Sequence, residues 1–123
     1  MINGIFVSNQ PFINIIVAWE QSVKNQIFLL DTGFTGELKI TPQISEELNL
    51  EEKESAIPVG IGNGKTVQMP LKLAVATMEG VSSYVEVLVD EGVPVAGIGL
   101  FSKFGYKVIV DCKYRTVKLE KVA

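Results

Sequence analysis

The chain has 123 residues, a formal net charge of −3, a single cysteine and no histidine. That length fits one domain spanning 1–123, and the missing imidazole excludes Ser-His-Asp and Cys-His catalysis. One cysteine allows neither an intrachain disulfide nor a zinc site, eleven scattered basic residues make no nucleic-acid surface, and no apolar run nears the ~18 residues of a membrane span.

Most of the chain reads as strand. Ile5 to Val7 and Phe12 to Trp19 are rich in β-branched and aromatic residues, with Asn9-Gln10-Pro11 as the expected turn between them. Gln21 to Asn25 reads as a polar connection, and Gln26 to Leu30 as an apolar strand buried on both faces. A short strand is expected over Glu37 to Ile40. Thr41-Pro42 is a helix start, a capping hydroxyl followed by proline at the first helical position. Ile44 and Leu48 lie four apart on its inner side, and Ser45-Glu46-Glu47 is expected to face water.

Further strands are expected at Ala56 to Ile61, Lys65 to Met69, Leu71 to Thr77 and Ser83 to Val89. Asn63-Gly64 signals a tight hairpin between the first two, and Glu79-Gly80 marks another turn. A helical turn from Leu100 to Phe104 would stop at Gly105. Val108 to Val110 and Arg115 to Leu119 form a last hairpin around Cys112-Lys113-Tyr114. The sequence also echoes itself. An apolar run leads to Asp31-Thr32-Gly33 and later a helix, and Val93 to Ala96 leads to Gly97 and then a helical turn.

Asp31-Thr32-Gly33 carries the chemistry. The tripeptide alone is good turn material anywhere, but four apolar residues precede it, so Asp31 falls where a buried strand ends. A carboxylate there is costly unless hydrogen-bonded, and the Thr32 hydroxyl and Gly33 amide are candidate partners. Phe34-Thr35-Gly36 follows as a second loop of small residues. Gly60-Ile61-Gly62-Asn63-Gly64-Lys65 fails the phosphate-loop spacing and reads as a glycine-rich hairpin, either an ordinary turn or a mobile cover for a cleft. Asp111 reads as a hairpin-end residue. Trp19, Phe12 and Phe28 read as core, and Cys112 as a small packed residue. No metal or organic cofactor is expected.

Three segments resemble a retropepsin-like aspartic peptidase (clan AA) of the small bacterial and archaeal single-domain type: Phe28 to Gly36, the Gly60 to Lys65 hairpin, and Val95-Ala96-Gly97-Ile98-Gly99-Leu100-Phe101 with the residues after it. The resemblance implies an all-β acid-protease barrel with one or two short helices, one lobe per chain. It implies a homodimeric endopeptidase acting on a peptide or protein. Asp31 would be the catalytic residue, Thr32 would tie the two active-site loops together, and Gly33 would contact the substrate backbone. Phe34 and Thr35 would lie beside the substrate, Ile61, Gly62, Asn63 and Gly64 at the flap tip, and Gly97 in the second-half motif. Where viral members often brace the loop and the dimer with a polar or charged residue two positions past Gly97, this chain has Gly99. A catalytically silent peptide- or protein-binding dimer on the same fold is the alternative. The lone cysteine and the absence of a basic region at Met1 to Gly4 lead to the expectation of a cytoplasmic protein without a membrane partner.

Overall fold

Strand takes up 61% of the chain and helix 11%, so the all-β expectation holds. The structure, a computed structural model, describes residues 1–123. In chain order the elements are β1 (Ile2–Asn3), β2 (Ile5–Val7), β3 (Gln10–Trp19), β4 (Ser22–Asp31), β5 (Leu38–Ile40) and α1 (Pro42–Leu48). Then come β6 (Glu51–Gly60), β7 (Thr66–Met78), β8 (Val81–Val89), β9 (Val95–Gly97), α2 (Ile98–Phe104), β10 (Tyr106–Asp111) and β11 (Thr116–Lys121). Eight strands form one sheet in the order β2-β3-β4-β9-β5-β8-β7-β6, and a β3–β7 pairing closes it into a barrel. The other three form a small sheet, β1-β11-β10. No helix is long and apolar enough to cross a membrane.

Strand alternation fills the barrel. Ile13, Ile15 and Val17 of β3, Phe28 and Leu30 of β4, and Leu38 and Ile40 of β5 all point inward and join Leu100, Phe101 and Phe104 of α2 in one core. Each such side chain contributes roughly 1.5–3 kcal/mol on burial. Both helices are set by local chemistry. The Thr41 hydroxyl accepts the Ile44 N–H at 3.2 Å, and Gly105 ends α2 at φ 74°, a left-handed conformation that costs glycine little.

Several local expectations are corrected. The first turn is Ser8-Asn9, both at positive φ. Gln10 and Pro11 already pair with Val7 and Phe6. Proline is tolerated there because the β3–β4 ladder begins only at Phe12. Ser22 to Asn25 is strand, paired with Ile16 to Trp19, because the partner strand supplies hydrogen bonds that polar residues accept as readily as apolar ones. β4 is not buried on both faces, since Ile27 is 46% exposed between Gln26 and the buried Phe28.

β6 starts at Glu51, earlier than the sequence suggests, and its charged residues sit on an outer edge where charge blocks further pairing. β7 runs unbroken through Pro70, which lies where the β6–β7 register shifts, a position that tolerates proline. Ser45 is buried while Glu46 and Glu47 face water. Phe12 and Trp19 are half-buried, with Trp19 packed against the core, and Cys112 is exposed in the last hairpin turn.

Candidate active site

The two halves of the internal echo meet side by side. β4 and β9 run parallel, with Leu29 opposite Val95, Leu30 opposite Ala96 and Asp31 opposite Gly97. Phe28 and Leu30 anchor β4 in the core, so Asp31 emerges, half-buried, where the ladder ends. Its Oδ1 accepts the Gly33 N–H at 2.9 Å, and its carbonyl accepts the Phe34 N–H at 3.2 Å. A Cβ on Gly33 would come 3.2 Å from that same Oδ1, so glycine keeps the carboxylate unobstructed. Of the two partners expected for Asp31, the Gly33 amide is engaged. Thr32 is exposed and its hydroxyl makes no bond within the chain.

The loop after Asp31 is held from below by β9 and α2. Gly97 N–H donates to Glu37 O at 3.0 Å, Ile98 N–H to Phe34 O at 2.9 Å, and Gly99 N–H to Gly36 O at 3.0 Å. The approach is so close that a Cβ on Gly97 would lie 2.4 Å from the Gly36 and Phe34 carbonyl oxygens. On Gly99 it would lie 2.8 Å from Thr35 O. In this chain the backbone at Gly99 braces the loop directly, a contact that requires the absence of a side chain.

A cleft of about 260 Å³ opens over Asp31. Asp31, Gly33 and Phe34 form its floor, and Gly60, Ile61 and Gly62 reach it from the β6–β7 hairpin. Lys39 and Val95 complete the walls. The hairpin turn is closed by Ile61 N–H to Lys65 O at 2.9 Å and by Lys65 N–H to the Asn63 side chain at 3.0 Å. Asn63 and Gly64 are part of this turn but do not line the cleft.

A second cavity of about 250 Å³ adjoins the loop. Thr35 lines this one with Gly36, Glu37 and Gly99, facing the apolar Ile57, Leu71 and Leu88 and the acidic Glu86. Its charges are balanced within the chain. Glu37 pairs with Lys103 at 2.9 Å and accepts the Glu86 N–H at 2.7 Å, and Glu86 pairs with Lys53 at 2.6 Å. The hydrogen bond to Glu86 raises Lys53 above the ordinary lysine range.

Sequence reasoning missed Lys39, Val95, Glu37 and Glu86. The Leu-Lys-Ile alternation already puts Lys39 on the face opposite the core, but only strand pairing shows that this face is the cleft. No group of His, Cys, Asp or Glu side chains in the structure is arranged to hold a metal ion.

No family model and no curated protein sequence matches the chain. Solved structures do. One is the EIAV protease complexed with the inhibitor HBY-793, with 19% identity, 85% of this chain and 96% of that chain covered, and a TM-score of 0.67. Another is a retropepsin-like aspartic protease from Rickettsia conorii, with 17% identity, 98% and 89% covered, and a TM-score of 0.69. The chain therefore has the retropepsin-like fold, a β-barrel with two short helices.

Proposed function

We propose that the chain, as one peptidase domain over 1–123, is an aspartic endopeptidase that acts as a homodimer. The observation that carries this reading is Asp31 itself. It stands at a strand end, fixed by the Gly33 amide, and opens into a cleft that a glycine-rich hairpin borders. One chain presents one such carboxylate, and Thr32 and Gly33 beside it are exposed and free to meet a second copy. A two-fold axis there would bring two Asp31 side chains face to face.

Two carboxylates that close cannot both ionise cheaply, so they share a proton. The ionised partner takes a proton from a water molecule, which attacks the peptide carbonyl. The protonated partner stabilises the oxyanion and then gives its proton to the amine as the C–N bond breaks, so the pair again holds one proton. Thr32 would link the two loops across the axis, and Gly33 would bond the substrate backbone. Phe34 and Thr35 would flank the bound peptide. Ile61 to Gly64 would form the flap that excludes bulk water, with the peptide adding strand-like bonds to it.

The test is Asp31→Asn, which should abolish cleavage of a peptide library while folding and dimerisation persist. Wild-type cleavage should follow a bell-shaped pH profile. Cleavage by Asp31→Asn at the wild-type rate would refute the mechanism. A transition-state mimic of the statine type separates the enzyme from a silent peptide-binding dimer, since only the enzyme binds the mimic far more tightly than a peptide.

A further inference from the structure

We infer that Lys39 makes the cleft select a peptide with an acidic side chain next to the scissile bond, an inference that rests on the peptidase reading above. Lys39 is the middle residue of β5, between Leu38 and Ile40, which are 0% and 1% exposed in the core. Alternation sends its side chain to the other face. There it stands opposite Val95 in the antiparallel β5–β9 pairing, and both residues line the cleft that holds Asp31.

The charge on Lys39 has no counterpart within the chain. The ion pairs join the N-terminus to Glu79, Lys24 to Glu47, Lys53 to Glu86, and Lys103 to Glu37. Lys39 makes neither an ion pair nor a side-chain hydrogen bond. The adjoining cavity differs, because both of its acids are matched by lysines. Asp31, the other charged group in the cleft, has its Oδ1 turned to the Gly33 amide.

A peptide lying across the cleft would strip water from the Lys39 ammonium. Beside an apolar residue that leaves a charge without solvent or partner, and beside a lysine or arginine it adds repulsion. A glutamate or aspartate supplies the missing carboxylate through a charge-assisted bond. Two-fold symmetry supplies two copies of Lys39, so the preference should appear at symmetric positions on the two sides of the cleaved bond.

The experiment compares peptides that differ only by Glu, Gln or Lys at one position flanking the cleaved bond. Wild type, Lys39→Gln and Lys39→Glu would be assayed for kcat/KM. Binding of the same peptides to Asp31→Asn protein, with and without Lys39→Glu, would be followed by fluorescence anisotropy. At the matching position on either side of the bond, varied one at a time, wild type should favour Glu over Gln by about tenfold, the size of one added charge-assisted bond, with Lys last and the gap narrowing in high salt. Lys39→Gln should level the series, and Lys39→Glu should reverse it.

Equal use of Glu, Gln and Lys at every position by an active wild type would overturn the inference and leave the peptidase reading intact. Retention of the wild-type order by Lys39→Glu would do the same. Absence of Asp31-dependent cleavage would refute the peptidase reading instead. The binding series would then decide the role of Lys39, with equal binding of Glu and Lys peptides counting against it.

Discussion

Asp31 and Gly97 stand opposite each other at the ends of the parallel strands β4 and β9. One position carries the carboxylate. The other carries no side chain, which lets the loop after Asp31 rest on β9 with carbonyl oxygens 2.4 Å from where a Cβ would be. Gly97→Ala should therefore push the loop away and cost about 1–3 kcal/mol, as overpacking does. A lower urea midpoint and at least a tenfold loss of cleavage are expected. Gly99→Ala, with its nearest contact at 2.8 Å, should do less. Unchanged stability in Gly97→Ala would contradict the tight contact.

Gly64 adopts φ +80° in the hairpin turn, and a Cβ there would meet nothing within 4 Å. Substitution at this position acts through the backbone alone. Gly64→Val should disfavour the turn by about 1–2 kcal/mol and lower kcat/KM severalfold, while the global urea midpoint moves little because the hairpin tip is exposed. Gly64→Asn should recover most of the activity, since asparagine tolerates that conformation. Equal activity in Gly64→Val and Gly64→Asn would show that the turn geometry does not matter for cleavage.

Local chemistry made much of this legible in the sequence. The Thr41 cap, the Gly105 stop, the Glu79-Gly80 turn and the apolar run into Asp31 each use a rule that spans a few residues. Segments governed by distant partners were hidden. Ser22 to Asn25 looks like a connection until Ile16 to Trp19 pairs with it, and Pro70 looks like a strand break until the β6–β7 shift accommodates it. The same holds for the site. The Asp31 loop could be read directly, but Lys39 and Val95 belong to the cleft only because β5 and β9 are neighbours. The role of Gly99 depends on how closely a loop more than sixty residues earlier approaches it.

A cluster away from the cleft predicts the pH limits of stability. Burial, and then the 2.8 Å hydrogen bond to Glu79, push the Tyr106 hydroxyl from 10.0 up to about 12. The folded state thus holds that proton more tightly than the unfolded chain does. Its contribution is complete below pH 10 and is lost as pH rises toward about 12. Glu79 has the opposite sign. The N-terminal ammonium, and then Tyr106, hold its carboxyl below the usual range. Its contribution is present at neutral pH and lost on acidification. Melting temperature against pH should fall on both sides, and Tyr106→Phe should flatten the alkaline fall. An identical alkaline fall in the variant would assign it to other groups.

The distance between the two Asp31 carboxylates in a crystal structure of the dimer tests the central claim most directly. They should lie within hydrogen-bond reach, about 2.5–3.0 Å between the nearest oxygens, with the two cleft hairpins on the same side of the axis. A protein that stays monomeric at assay concentration yet cleaves peptides, or a dimer whose Asp31 side chains face away from each other, would contradict the account.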